Sequence, residues 1–268
     1  MSQPSLALVI NTYNAPKKLD AVLRWLNQGN QKPDELLIAD DGSADETRDL
    51  VRDWQSRSTY PVHHIWQADD GYRRSRVLNL AIAQAKSDYL VFIDGDCLPF
   101  RRFVSDHRLM AERPSFVQGR RCFVPEAQVP GLIAGKSSLK SLFFSGKISG
   151  AFKAIRWPRP VIKRNQELTG ILGCNLGIWR DDLIAVNGYD ESFEGWGAED
   201  SDLAARLYHL GRTRKFVYGR CQLAHLNHGE LSRDRYDLNK QKLAQAIESK
   251  RIRAELGLDQ HLDRESSK

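Results

Sequence analysis

Cysteine is scarce in this 268-residue chain: four residues, at positions 97, 122, 174 and 221, with no close pair that would make a zinc knuckle or a redox motif. A disulfide-stapled secreted domain is thereby excluded, and four reduced thiols in a cytoplasmic compartment are expected. Long apolar runs are lacking as well. The first, residues 6–10, is far too short for the apolar region of a signal peptide or for a membrane span, so neither export nor membrane spanning is expected. Internal repeats and long linkers are missing too. Charge of one sign does not dominate: Lys and Arg number 40 and Asp and Glu 34, a net +6 too small by itself to indicate a nucleic-acid partner. The remaining composition, 41% hydrophobic and 28% charged, excludes a disordered or fibrous chain and suits one large α/β domain or two small ones.

The apolar residues that are present fall into a regular order. Residues 6–10 form a continuous apolar run that stops at Asn11-Thr12-Tyr13-Asn14, and Leu19, Val22, Leu23 and Leu26 follow at helical spacing. Residues 36–39 repeat the pattern, ending in Asp40-Asp41-Gly42-Ser43 before a helix over about 44–54. Residues 62–66 form a third strand, followed by Asp69-Asp70-Gly71-Tyr72 and a helix carrying Val77, Leu78, Leu80, Ala81 and Ile82. Residues 89–93 form a fourth, ending in Asp94-Gly95-Asp96. Strands alternating with helices predict a parallel sheet covered on both faces, with ligands beyond the carboxyl ends of the strands, where the polar clusters stand. Later, regular elements are expected at 172–179, 200–210 and 215–218, with a polar helix over 236–256. Between them, residues 101–164 carry fourteen Lys and Arg against three acids, which leaves the rest of the chain net acidic.

Three clusters suit chemistry. In Asp94-Gly95-Asp96 two carboxylates stand at a strand end around a glycine that lets the backbone turn close to a ligand, an arrangement suited to a hard divalent cation carrying a diphosphate; the same triplet also reads as a plain β-turn. His225 and His228 offer imidazoles of the kind that ligate Mn²⁺ beside carboxylates, although a histidine is more often merely hydrogen-bonded. The run Gly195-Trp196-Gly197-Ala198-Glu199-Asp200-Ser201-Asp202 precedes an amphipathic helix. Acids there cap the helix and complement its dipole, while a glycine-flanked, exposed tryptophan on a flexible hinge suits stacking on a sugar face.

Taken together, residues 6–96 and 172–228 resemble an inverting glycosyltransferase of the family 2 type with the GT-A fold, the second stretch being similar to the galactosyltransferase-type C-terminal motif. Asn11-Thr12-Tyr13-Asn14, Asp40-Asp41-Gly42-Ser43, residues 74–79, Asp94-Gly95-Asp96, Gly173-Cys174-Asn175 and residues 195–202 carry the resemblance. It implies an α/β fold with a Rossmann-like, mostly parallel central sheet flanked by helices. Residues 1–100 would form the donor-binding half and 101–228 the acceptor-binding and catalytic half of the same domain, followed by a C-terminal helical extension over 229–268. It implies a UDP-sugar donor whose nucleoside meets Thr12, Tyr13 and either Asp41 or Asp40. Arg74 and Arg76 would approach the base or diphosphate. Asp96 would bind Mn²⁺ or Mg²⁺, with Gly95 beside it and Asp94 toward ribose or metal. The further protein ligand would be His225, with His228 in reserve. Asp200 would be the general base, and Trp196 and Glu199 would contact the acceptor.

The reaction expected from that resemblance is transfer of a hexose, with inversion, to a hydroxyl of a glycan or glycolipid such as a lipopolysaccharide core or another surface polysaccharide. The basic segment, where Lys136, Lys140, Lys147 and Lys153 lie among apolar residues, suits an anionic acceptor and peripheral docking at the inner face of a bacterial inner membrane; the same apolar residues also read as core beneath solvated lysines. Two other classes compete: a metal-dependent sugar-nucleotide hydrolase, in which Asp200 activates water, and a nonenzymatic nucleic-acid binder built on Arg73-Arg74-Ser75-Arg76 and the basic segment. No nucleic-acid partner is expected, because the aromatics are not interleaved with the basic residues as in RNA-binding motifs.

Overall fold

Residues 3–229 and 234–262 are described by the computed structural model. The apolar runs become strands and the amphipathic stretches helices in the order β1 (Leu6–Thr12), α1 (Pro16–Asn27), β2 (Glu35–Asp40), α2 (Asp45–Arg57), β3 (Val62–Trp66), α3 (Arg74–Gln84) and β4 (Tyr89–Asp94). There follow β5 (Cys97–Pro99), α4 (Phe103–Met110), β6 (Ser115–Gln118), β7 (Arg120–Val124), α5 (Val129–Ile133), α6 (Leu139–Phe144) and β8 (Val161–Asn165). The last third contains β9 (Leu176–Trp179), α7 (Arg180–Ala185), α8 (Glu199–His209), β10 (Thr213–Tyr218), β11 (Gln222–Leu226), α9 (Tyr236–Glu248) and α10 (Asp259–Leu262).

Eight strands form the main sheet in the order β3-β2-β1-β4-β9-β6-β10-β8. The first four run parallel; β9 is inserted antiparallel between β4 and β6, and β8 closes the far edge antiparallel to β10. The sheet is thus mixed but mostly parallel. Alternation along β1 explains its two covered faces: Leu6, Leu8 and Ile10 pack with Leu19, Leu23 and Val51 of α1 and α2. Ala7 and Val9 pack on the other side with Val77, Leu183 and Leu203 of α3, α7 and α8. Pro16 is accommodated at the start of α1, where its missing N–H is not needed.

A second sheet, β5-β11-β7, lies beyond β4. In it His225 pairs with Cys97 on one side and Phe123 on the other, and the Leu226 N–H donates to the Asp96 carbonyl at 2.9 Å. This pairing brings chain segments from three distant places to one end of the main sheet.

The C-terminal helix is shorter than its polar pattern suggests: α9 ends at Glu248, and Lys250 adopts φ +50°. The chain turns back because the Ala254 and Leu258 N–H groups bond to the Val186 and Asn187 carbonyls, a pull from tertiary contacts that helical spacing does not record. Residues 230–233 and 263–268 of the expected extension lie outside the described residues. The basic segment divides between its two readings: Leu132, Leu139, Leu142 and Ile148 are buried, whereas Phe144 is 85% exposed and Phe152 63% exposed. All four cysteines are free and buried. Among the described residues no helix is long and apolar enough to cross a membrane.

The wall behind α8 is held by a fully buried guanidinium. Arg206 donates to Asp202 at 2.8 Å and to the Val186 and Gly188 carbonyls at 2.7 Å each. Replacing it with alanine leaves Asp202 short of its main partner, so Arg206→Ala should cost about 3–5 kcal/mol in urea unfolding. A loss below about 1 kcal/mol would mean that Arg251, 3.4 Å from Asp202, can carry the charge alone.

Candidate functional site

A cleft of about 770 Å³ opens where β1 and β4 end, the position at which open α/β sheets place ligands. Its volume falls in the range of small-molecule and cofactor sites. One wall comes from the small sheet. Asp96 follows β4, His225 lies on β11, and His228 stands just beyond it; their ligating atoms all lie within 4.8 Å of one another. The Asp96 carboxylate is 3.6 Å from His225 Nε2 and 3.2 Å from His228 Nε2, close to the spacing of about 3 Å that adjacent ligands take around a cation with bonds near 2.1 Å. His228 Nδ1 lies 2.6 Å from the Gly229 carbonyl, which holds the ring with Nε2 toward Asp96. Burial pushes Asp96 upward, but the contacts with His228, His225 and Lys18 outweigh it and hold the carboxyl below its usual value. Burial lowers His225, whereas the hydrogen bond with Asp96 raises His228. A mixed imidazole and carboxylate set of this kind fits a divalent transition ion.

The facing group of side chains is built on Arg74, at the start of α3. Its buried guanidinium reaches Asp200 at 3.0 Å, Glu199 at 3.2 Å and Asp94 at 3.6 Å. The Gly195 N–H donates to the Tyr72 carbonyl, and the Asn79 amide bonds to Tyr189 and Glu191, so the turn before α3 and the segment before α8 are tied together. Asp200 lies in the acidic first turn of α8, where its charge complements the helix dipole, but it is not the cap: that position is Ala198, which makes no side-chain cap bond. Glu199 accepts from the Gly197 N–H and Asp202 faces Arg206, while Asp200 faces Arg74 across the cleft wall. Gly173 packs against Asp200 so closely that a Cβ there would overlap the carboxylate.

The other residues singled out in the sequence divide between cleft and support. Thr12 and Tyr13 line the cleft; Thr12 Oγ1 is buried with no hydrogen-bond partner among the described residues, and the Tyr13 hydroxyl donates to Asp69 at 2.9 Å. Gly95 also lines it, its N–H donating to the Asn11 carbonyl at 2.7 Å. Asp40 does not line the cleft; it accepts from the Ser43 N–H and lies 2.9 Å from His64 Nε2. Asp41 does not line the cleft either; its carboxylate accepts from the Gln67 amide and the Arg73 N–H. Arg76 does not line the cleft; it donates to Gln67 and so supports Asp41 from behind. Trp196 is half-buried rather than exposed, its ring stacked on Tyr236 with centroids 5.6 Å apart.

Lys18, Tyr72, Arg121 and Phe123 also line the cleft, and nothing in the sequence pattern singled them out. Arg121 donates to Cys174 Sγ at 3.1 Å, and Phe123 stands edge-on to His225. Asp94, Cys97 and Cys174 form a second group of close ligand atoms, but Arg74 and Arg121 already press on it with positive charge, which disfavours a cation there.

With this geometry in view, residues 7–130 match the model of glycosyl transferase family 2, and residues 159–229 that of the N-terminal domain of galactosyltransferase. The first part of the chain is thereby similar to the family 2 glycosyltransferases and the later part to the galactosyltransferases. Similar curated proteins include a chondroitin synthase from Escherichia coli, 27% identical over 232 residues that cover 80% of this chain and 34% of that one. Another is a validoxylamine A glucosyltransferase from Streptomyces hygroscopicus subsp. limoneus, 28% identical over 225 residues that cover 78% and 49%. The chain therefore spans between a third and a half of the length of these two relatives. Among solved structures, GalNAc-T7 with UDP, GalNAc and Mn²⁺ superposes with a TM-score of 0.64 at 13% identity, covering 85% of this chain and 45% of the other. The shared architecture is the GT-A fold.

In the cleft, three carboxylates share one guanidinium, and an excess of buried negative charge is relieved by a proton. Burial, reinforced by Asp200, raises Glu199 to about 7, and Arg74 only partly opposes the shift. Burial likewise raises Asp94. Between the usual 4.5 and about 7, folded Glu199 holds a proton that the unfolded chain has released, so its contribution makes stability fall as pH rises. Glu199→Gln cannot titrate, and should therefore gain stability relative to wild type as pH is raised from about 5 to about 7 in thermal melts. A constant difference across that window would mean that Glu199 is already charged in the folded chain at the acid end.

Proposed function

We propose that the chain transfers a hexose from a UDP-sugar to a hydroxyl of a glycan or glycolipid acceptor, with inversion at the anomeric carbon. The observation that carries the reading is that one cleft has two distinct walls. One is a carboxylate and imidazole set from the small sheet; the other is a carboxylate at the start of α8 held by Arg74. The presence of UDP and Mn²⁺ in the similar GalNAc-T7 structure is consistent with it.

Thr12, whose hydroxyl has no partner among the described residues, and Tyr13 line the cleft at the end of β1 and are assigned to the nucleoside, with Asp41 behind them at the end of β2, so residues 1–100 supply the donor side. Asp96, His225 and His228 are assigned to a divalent ion, with Asp94 and Gly95 at the floor beside it. Mn²⁺ or Mg²⁺ bound there would neutralise charge growing on the departing diphosphate. Asp200 accepts the acceptor proton as the hydroxyl oxygen attacks the anomeric carbon. Arg74 keeps that carboxylate in place, and Glu199 and Trp196 line the acceptor side. The sugar–phosphate bond breaks as the glycosidic bond forms, so no covalent enzyme intermediate is needed. Asp200→Asn should leave UDP and Mn²⁺ binding intact by calorimetry while lowering turnover by roughly 10²–10⁴. Asp96→Asn, His225→Ala and His228→Ala should instead raise the Mn²⁺ requirement. Normal turnover in the Asp200 variant would remove the base from its role, and hydrolysis unaffected by any acceptor would identify a hydrolase.

For the acceptor, the basic residues of 101–164 together with exposed Phe144 and Phe152 suit an anionic glycan or glycolipid, approached from the inner face of an anionic membrane. The polysaccharide named for the Escherichia coli relative is consistent with a glycan acceptor. Reversing Lys136, Lys140 and Lys147 to Glu should raise the acceptor KM without changing UDP affinity, and the wild type should sediment with anionic liposomes at low salt. Equal loss of UDP binding would place the segment in the nucleotide site or the fold, and indifference to lipid charge would remove the membrane contact.

A further inference from the structure

Lys18 has no part in the reading above, yet it occupies a decisive place in the cleft. It is the third residue of α1, and its side chain turns inward to line the cleft, 25% exposed, while its neighbour Lys17 is exposed to solvent. Its Nζ lies 3.9 Å from Asp96 Oδ2, so the Asp96 carboxylate is surrounded by one ammonium and two imidazoles.

These three partners are not equivalent. The imidazole of His225 is fixed by a strand paired on both sides, and that of His228 is held by the Gly229 carbonyl. Neutral imidazoles can remain beside Asp96 as ligands when a divalent ion arrives. An ammonium cannot, because it carries charge of the same sign as the ion and offers no lone pair. Lys18 has a flexible four-carbon stem and a partly open environment, so it is the group that moves.

The direction of that movement follows from the neighbours of Lys18. Ala15, Tyr13 and Thr12 lie on one side of it along the chain, and Asp96 stands on the other across the cleft. With the nucleoside at Thr12 and Tyr13 and the metal at Asp96, a diphosphate joining the two lies in the cleft that Lys18 lines, its metal-bound end beside the Lys18 ammonium. We propose that Lys18 is a diphosphate ligand: it serves as counter-ion to Asp96 until a divalent ion binds, and then turns to the phosphates and neutralises charge on the leaving group. This inference rests on the nucleotide-sugar reading and adds to it a contact specific for phosphate.

Calorimetry of wild type, Lys18→Ala and Lys17→Ala with UDP, uridine and Mn²⁺ tests it. Lys18→Ala should weaken UDP binding about tenfold, the effect of one lost charge-assisted contact, and leave uridine within about twofold. Lys17→Ala should change neither, and Mn²⁺ binding without nucleotide should be as tight or tighter in Lys18→Ala because the competing ammonium is gone. Unchanged UDP affinity, or equal weakening of UDP and uridine, would overturn the assignment of Lys18. A wild type that binds no UDP in the presence of Mn²⁺ would overturn the nucleotide-sugar reading itself, and the proposal with it.

Discussion

A guanidinium taken out of water needs anionic partners, and carboxylates crowded together need a cation; in this chain the two requirements meet at Arg74. Burial disfavours its charge, but Asp200, Asp94 and Glu199 more than compensate and keep it firmly protonated. The three acids come from the end of β4 and the start of α8, and Arg74 from the start of α3. One ion cluster therefore joins three elements, of which α8 lies more than a hundred residues from the other two in sequence. Without Arg74, Asp94 and Asp200 would repel one another, and the carboxylate assigned to proton transfer would lose its position. The absence of a side chain at Gly173 gives Asp200 room to occupy that position.

Metal-side chemistry depends on a different constraint, the pairing of β11 with β5 and β7. Register alone sets His225 beside Cys97, one residue from Asp96, and the Leu226 N–H to Asp96 carbonyl bond fixes the approach. Imidazoles thus gather around Asp96 while guanidinium gathers around Asp94, although only Gly95 separates the two aspartates. That division lets neighbouring carboxylates face different partners: burial raises Asp94, whereas the imidazoles and Lys18 hold Asp96 low.

Much of this was legible in the sequence because strands buried on both faces leave long apolar runs and the polar residues that end them mark the cleft. Thr12, Tyr13, Asp94, Asp96, Asp200, His225 and His228 all reach it. The pattern failed where adjacent residues of one motif point in different directions. Arg74 and Arg76 are two apart on a helix, roughly 200° around its axis, so only one can face the cleft. Asp40 at the end of β2 and Asp41 just past it have their carboxylates turned to His64 and to Gln67, and neither lines the cleft. Arg121 and Phe123 were invisible because β7 reaches the site only through the small sheet, a pairing that has no local signature. The early end of α9 reflects the docking of residues 254–258 onto residues 186–187, which hydrophobic spacing does not encode.

The role of Arg74 is open to one direct measurement, because its sequence context pointed to the nucleotide and its geometry to the carboxylates. Arg74→Lys keeps the charge but loses the fork that spans Asp94, Glu199 and Asp200. If Arg74 positions the base, turnover should fall by about 10² as the carboxylate drifts, while the dissociation constant for UDP with Mn²⁺ changes by no more than about twofold. A parallel fall in turnover and UDP affinity would place Arg74 on the nucleotide instead and contradict the cluster as the organising interaction.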